Sequence, residues 1–258
     1  MNGYSDLTFI DKKDGYMVIA CDVSAGIGDR EHDIIKLDPF KCGYYAAFVP
    51  VVELLSIRAK AEVFVNTLSV EYDPTAKKII EGIREVMENS YGELPLTGST
   101  EDNINTTFTS IGITIIAKIS KEGANKVINP SKEFIEEIID SKLYLVGKPK
   151  VGKEFLEEEI VGNAGECISL DAVIKLSDDK NNLVLLPIGS KGIAYEISVL
   201  EKRFGLQYHK NIEDDFKEDI DMKKSAGPST AILVISKTRP DCFKYVVELG
   251  DFQYEKME

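Results

Sequence analysis

The sequence predicts an α/β chain built in two successive parts. Three features carry this expectation. Strand-length runs of β-branched residues alternate with helix-length segments that carry one apolar stripe. Several runs end in loops rich in glycine, hydroxyls and acids. The alternation breaks at 120–130, where Gly123, Asn125, Asn129 and Pro130 read as a linker, and then begins afresh. The expected domains are 1–122, with the order β-α-β-α-β-β, and 130–258.

The first strand is Met17-Val18-Ile19-Ala20-Cys21, ending on Asp22. A carboxylate at a strand exit stands at the rim where ligands of α/β proteins sit. Gly26 and Gly28 follow, and their backbone N–H groups are open to an anion; the plainer alternative is a polar turn with an ordinary acid. A dense charge patch, Asp29-Arg30-Glu31-His32-Asp33, comes next. Residues 36–62 have helical spacing through Tyr45, Val49, Val52 and Glu53-Leu54-Leu55, with Pro50 either kinking the helix or starting a second one. A strand is expected over 62–71. Asp73 then serves as N-cap and Pro74 as first residue of a helix striped by Ile79, Ile80, Ile83, Val86 and Met87. Leu94-Pro95-Leu96 forms a short strand before a polar loop, Thr97-Gly98-Ser99-Thr100-Glu101-Asp102-Asn103, and 106–119 is a long β-branched strand.

In the second part a helix capped by Ser131 leads to the strand Leu143–Val146 and the loop Gly147-Lys148-Pro149-Lys150-Val151-Gly152-Lys153, then an acidic helix from Glu154. A helix over 170–176 precedes the strand 183–188, the loop Gly189-Ser190-Lys191-Gly192 and a helix over 194–204. The acidic run 212–221 reads as a solvated loop. A small-residue loop, 225–230, leads to a strand over 231–236, a helix near Cys242 and a last strand over 245–249.

Composition narrows the function. A chain of 258 residues corresponds to about 1.7 average domains, and 43% hydrophobic with 29% charged residues is ordinary for a soluble protein. Cys21, Cys42, Cys167 and Cys242 form no CxxC pair, against a zinc site or disulfide frame and in keeping with a reducing cytoplasm. A net charge of −13 opposes binding to a duplex or a membrane surface. Residues 1–15 lack the apolar core of a signal peptide, and runs such as Ile111–Ala117 are far short of a membrane span. The expectation is a cytoplasmic protein with small-molecule partners, without nucleic acid or membrane.

Three acid-bearing segments stand at expected strand exits: Asp22, then Asn66 with Glu71, then Glu101 and Asp102. Oxygen donors from separate strands suit Mg²⁺, particularly where triphosphate oxygens complete its shell. Lys148 and Lys191 sit in strand-to-helix loops, either as anion sites at helix amino termini or as surface residues on glycine turns. Neither loop is a GxxxxGK[ST] phosphate loop, and no GxGxxG follows a strand. With His32 and His209 the only histidines and no GxSxG elbow, catalysis by a protein nucleophile is not expected. Cys21 reads as an inert core residue. Tyr44-Tyr45 fits either helix packing or an aromatic wall for a base.

Taken together, ACDVSAGIG, VELLSIRAKAEVFVNTLSVE, LTGSTEDN before TTFTSIGITIIAK, and VGKPKVGKEF resemble the aminoimidazole ribonucleotide synthetase-like superfamily, which includes thiamine-monophosphate kinase and selenophosphate synthetase. GSTEDN, CDVSAGIGDREHD, LPIGSKGIAYE and SAGPST are most similar to its α-ribazole kinase branch, a group of cobalamin salvage. The resemblance implies an amino-terminal α/β domain that forms a homodimer through its sheet, a carboxy-terminal α+β domain, and ATP and Mg²⁺ as cofactors. It implies Asp22 as first metal ligand, Glu53 as the helix acid, Asn66 in place of the strand-end acid, and Glu101 or Asp102 as the later one. Glu53 and Asn66 stand where the family usually has aspartate, and Pro50 interrupts the family's helix. Asp22 and Glu101 are then the catalytic acids, and Gly26, Gly28, Gly98, Ser99, Thr100, Asn103, Lys148 and Lys191 the ATP and phosphate contacts. The implied activity is phosphorylation of a small nucleoside-like alcohol, α-ribazole by preference. Thiamine monophosphate is the rival acceptor, and a non-catalytic nucleotide-binding dimer the alternative.

Overall fold

The computed structural model describes residues 3–4, 6–161, 165–212, 220–240 and 243–254. They fall into two compact units, Met1–Ser120 and Lys121–Glu258.

In the first unit the strands are β1 (Gly3–Tyr4), β2 (Leu7–Lys12), β3 (Gly15–Ala25), β4 (Ile27–Gly28), β5 (Ile35–Lys36), β6 (Lys60–Leu68), β7 (Leu96–Thr100) and β8 (Ser110–Ile119), with helices α1 (Pro39–Ser56) and α2 (Lys77–Tyr91). Six strands make one sheet in the order β1-β2-β3-β8-β6-β7, and β4 pairs with β5 alongside. Strand β8 shows why the sheet has two unlike faces. Ile111, Ile113, Ile115, Ala117 and Ile119 are buried on the side that α1 covers, while Gly112, Thr114, Ile116 and Lys118 alternate onto the other. Ile10, Met17, Ile19, Val63 and Val65 share that second face and stay only half-buried.

Helix α1 starts at Asp38, whose Oδ1 accepts from Phe40 N at 3.0 Å, with Pro39 at its first position. It continues as one helix through Pro50, so the second-helix alternative falls. Its crossing with α2 is set by two glycines. A Cβ on Gly43 would collide with the backbone of Ile79, and one on Gly82 with that of Phe40. The start of α2 differs from expectation. A wide turn, Tyr72–Ala76, is closed by Ala76 N donating to Glu71 O at 3.1 Å, and the N-cap position belongs to Ala76. Asp73 lies inside the turn with extended backbone angles and caps nothing.

Thr97-Gly98-Ser99-Thr100, expected as a loop, is the strand β7, paired in parallel with β6 from Phe64↔Leu96 to Leu68↔Thr100. It lies at the sheet edge, where small polar residues keep an exposed strand from mispairing. Residues 106–109, expected as strand, precede β8.

The second unit holds helices α3 (Lys121–Ile128), α4 (Lys132–Ile139), α5 (Lys153–Val161), α6 (Leu170–Asp178) and α7 (Ile193–Phe204). Its strands are β9 (Lys142–Val146), β10 (Asn182–Pro187), β11 (Gln207–Lys210), β12 (Ile232–Ser236) and β13 (Val246–Gln253). Helix α3 occupies most of the expected linker and buries Ala124 and Val127. The strands pair antiparallel throughout in the order β10-β12-β9-β13-β11. Ser131 and Ser169 cap α4 and α6 through their hydroxyls, as their positions before apolar stripes dictate. Most of the acidic run 212–221, and the residue at the centre of the helix expected near Cys242, lie outside the described residues. Among the described residues no helix is long and apolar enough to cross a membrane.

Candidate functional site

One end of the first sheet gathers most of the residues singled out in its sequence. The pairs Ala25↔Ser110, Leu68↔Ile111 and Leu68↔Thr100 place the exits of β3, β6 and β7 and the start of β8 together. Loops 26–37, 69–76 and 101–109 therefore leave from a single rim.

Asp22 lies inside β3 rather than at its exit, opposite Ile113, and Asn66 faces Ile113 from β6 on the other side. Both belong to the helix-covered face. Asp22 is half-buried, and burial pushes its carboxyl above the ordinary value; repulsion from Asp6 adds to this and a hydrogen bond from the Val23 backbone opposes it. Asn66 is 3% exposed and its Nδ2 donates to Thr97 O at 3.3 Å. Gly98 is required beside it, since a Cβ there would collide with Asn66 O and Oδ1.

Loop 26–37 is built around Asp33, which is 5% exposed. Its carboxylate accepts from Arg30 N at 2.9 Å, Thr109 N at 2.7 Å and Thr109 Oγ1 at 2.8 Å. Gly28 packs so tightly against this clamp that a Cβ would strike Thr109 Oγ1 and Asp33 Oδ2, and Gly26 has φ +72°. Both glycines are thus fixed by local packing and backbone shape. Arg30 forms an ion pair with Glu71, whose other oxygen accepts from Thr75 Oγ1 at 2.6 Å. In the third loop Glu101 Oε1 accepts from Asn103 N at 2.8 Å and Ile104 N at 3.2 Å. Asp102 accepts from Thr100 Oγ1 at 2.5 Å and Tyr72 N at 2.9 Å, and these bonds hold its carboxyl below the ordinary value.

Sequence reasoning passed over Arg30, Asp33, Thr75 and Thr109 as individual residues. The charge patch 29–33 was visible, but Asp33 and Thr109 are 76 positions apart and nothing local announces their bond.

Other expected residues are placed elsewhere. Glu53 is buried near the far end of α1, about 21 Å along the helix from Pro39 at 1.5 Å per residue. It does not reach the rim, because α1 begins beside β4 and runs back towards the start of β6. Cys21 is exposed on the uncovered sheet face, where it accepts from Thr114 Oγ1 at 3.3 Å, and is not a core residue. Tyr44 packs on Tyr45 and Phe48 along α1, which favours helix packing over an aromatic wall.

Lys148 and Lys191 lie in the second unit, at one end of its sheet, since Val146, Pro187 and Val246 share a rung with Ile232 or with one another. The Lys148 ammonium is 3.8 Å from Glu166 Oε2 and 5.7 Å from the centre of the Tyr245 ring. Lys191 rests 4.2 Å over Tyr195. The amino terminus of α7 beside it already has a buried carboxylate, Glu196, accepting from Gly189 N at 3.4 Å.

Among the described residues no three His, Cys, Asp or Glu side chains gather closely enough to cage a metal. Mg²⁺ is commonly held by one or two carboxylates, with phosphate oxygens and waters filling the octahedron. Asp22 fits such a role best, since a cation would offset the desolvation of its charge.

No family model matches the sequence, and no curated protein does. Solved structures match along nearly its whole length. Thiamine monophosphate kinase from Aquifex aeolicus is similar with a TM-score of 0.61 and 12% identity, covering 97% of this chain and 89% of that one. A structure of AaThiL complexed with AMPPCP and TMP gives a TM-score of 0.59 and 11% identity, over 97% of this chain and 85% of that one. T. maritima PurL complexed with ATP gives a TM-score of 0.51 and 16% identity, over 96% of this chain and 37% of that one. This chain shares with these proteins the two-part α/β and α+β fold that the sequence resemblance implied.

Proposed function

We propose that the chain is an ATP- and Mg²⁺-dependent kinase of a small nucleoside-like alcohol. The observation that carries this is one end of the first sheet, where Asp22 and Asn66 flank Ile113 on the helix-covered face and the loop bearing Glu101 and Asp102 leaves the rim beyond them. It occurs in a chain that follows the fold of a thiamine monophosphate kinase over 97% of its length. Catalysis would rest on positioning and charge neutralisation, with the acceptor hydroxyl as nucleophile. Bound Mg²⁺ would supply neutralisation of the donor phosphates. Asp22 would be its direct protein ligand, with Glu101 and Asp102 acting through water. The backbone of 26–28 and 98–100, with Asn103, would face the phosphates.

The acceptor we favour is the 5′-hydroxyl of α-ribazole. A net charge of −13 disfavours an anionic acceptor and costs an uncharged nucleoside nothing. Thiamine monophosphate is the second reading, favoured by the similarity to AaThiL complexed with AMPPCP and TMP. The active form would be a cytoplasmic homodimer joined through the uncovered face of the first sheet. Purified protein with Mg²⁺-ATP and each acceptor in turn, with products read by mass, tests the assignment. Phosphorylated α-ribazole is expected. Turnover of thiamine monophosphate alone would replace the acceptor, and binding of ATP without turnover of either would support a non-catalytic nucleotide-binding dimer.

A further inference from the structure

The three loops of the rim, 26–37, 69–76 and 101–109, carry seven carboxylates against two permanent cations, Arg30 and Lys36. Charge of this sign repels a triphosphate, so the use made of the two cations matters. Lys36 is committed: its Nζ donates to Arg30 O, and to Glu31 O at 3.2 Å. Arg30 is only partly used. Its Nη2 makes the ion pair with Glu71 and lies 3.5 Å from Thr75 Oγ1. Its Nε is enclosed and has no acceptor among the described residues. Glu71 meets the guanidinium through one oxygen, while the other accepts from Thr75 Oγ1 at 2.6 Å. A buried donor without an acceptor is costly, and it asks what the group is kept for.

We propose that Arg30 binds the phosphates of the donor, held by Glu71 until it passes to a phosphoryl group when the nucleotide binds. The proposal rests on the kinase reading above and adds the side chain that offsets the donor's charge. A phosphoryl group offers oxygens to Nε and Nη2 at once, a match to the guanidinium fork that Glu71 does not make. The backbone beneath the side chain is fixed. Arg30 N donates to Asp33 Oδ2 at 2.9 Å, Lys36 holds Arg30 O, and the same Asp33 carboxylate packs against Gly28. The side chain can therefore change partner without moving the loop. Glu71 is a third exposed, so its carboxylate passes to water when the arginine leaves. Contacts also join Arg30 to the second phosphate segment of that reading, 98–100. Tyr72, next to Glu71, donates from its N to Asp102 Oδ1 at 2.9 Å, and Asp102 accepts from Thr100 Oγ1 at 2.5 Å.

The test is calorimetry with AMPPCP on Arg30→Gln and Glu71→Gln in the full chain. Arg30→Gln should raise Kd roughly tenfold, the loss of one charge-assisted contact. Glu71→Gln should bind at least as tightly as the wild type, since it releases the arginine and removes a repelling charge. An ion pair that only braced the two loops would weaken AMPPCP in both variants. That result, or an unchanged Kd in Arg30→Gln, would overturn the assignment. Hydrogen exchange at the Thr109 amide should match wild type in Arg30→Gln, because the Asp33 clamp takes only the backbone N of Arg30. Faster exchange would mean a loosened loop and would also overturn it. If Arg30→Gln does not fold, Glu71→Gln decides alone: tighter AMPPCP binding upholds the release, and equal or weaker binding overturns it. If the wild type binds no AMPPCP, the ATP reading fails by itself. Inorganic pyrophosphate then decides: binding that weakens in Arg30→Gln upholds the arginine as a phosphate contact, and absent or unaltered binding overturns it.

Discussion

Asp22 of β3 and Asn66 of β6 face the same residue, Ile113 of β8, from its two sides. Two strand spacings separate them, about 10 Å between backbones. The two positions have opposite chemistry. Asn66 is buried and gives its amide hydrogen to Thr97 O, whereas Asp22 is half-buried with its carboxyl pushed up by desolvation. A carboxylate at 66 would set an acceptor against the Thr97 carbonyl. Asn66→Asp should therefore cost about 1–3 kcal/mol in urea unfolding. A neutral or stabilising result would mean the amide is not chosen by this contact.

Asp22→Asn should cut Mg²⁺-ATP turnover at least tenfold, the order expected even for residues that only support a metal. It should not lower the melting temperature at neutral pH. A raised folded pKa means that protonated Asp22 favours the fold, and this contribution fades as pH climbs through the folded value. The wild type therefore carries a burden at neutral pH that asparagine lacks, and the two proteins should converge as pH falls through the carboxyl range. Melting curves between acid and neutral pH check the sign. Retention of half the activity would remove Asp22 from the metal site.

Gly43→Ala and Gly82→Ala should each cost roughly 1–3 kcal/mol, because a methyl would meet backbone of the opposite helix rather than a side chain that can move aside. Melting temperatures should drop by about 2–4 °C per kcal/mol for a chain of this size. A loss below 1 °C in both would show that the helices slide apart freely.

Much of this was legible because it is local. Ser131 before an apolar stripe announces a helix start, and Leu143–Val146 a buried strand; both formed as expected. The failures have physical causes. Thr97–Thr100 looks like a loop because an edge strand takes polar, small residues. Asp73-Pro74 looks like a cap because the dipeptide is right, but Glu71 O captures Ala76 N first and displaces the start of the helix to Lys77. Glu53 has the right residue type and spacing, yet the direction in which α1 runs carries it away from the rim. The Asp33–Thr109 bond is long-range and has no sequence signature at all.

Ile116→Lys and Val65→Lys test the proposed homodimer. Both residues sit on the uncovered sheet face, and an extended, half-buried apolar sheet surface is what a second copy would cover. The wild type should scatter light as twice 28.7 kDa at micromolar concentration, and either variant as a single copy. A wild-type monomer would sink the proposal.

Asp33 gives the last prediction. Its carboxylate takes three donors while almost fully enclosed, and in doing so fastens loop 26–37 to the first residues before β8. Asp33→Asn keeps the volume but turns one acceptor into a donor, which must then face an N–H or a hydroxyl. The expected cost is about 1–3 kcal/mol. Thr109→Val removes the hydroxyl bond alone and should cost about 1 kcal/mol. Because Gly28 is packed against both residues, the loop should loosen before the sheet does. Hydrogen exchange at the Thr109 and Arg30 amides should accelerate in Asp33→Asn, while Ile113 and Ile115 in the middle of β8 keep their protection. AMPPCP affinity should weaken with it if backbone 26–28 faces the phosphates. Unaltered exchange at Thr109 would show that the clamp does not hold the loop; faster exchange with unaltered AMPPCP affinity would take Gly26 and Gly28 out of the nucleotide site.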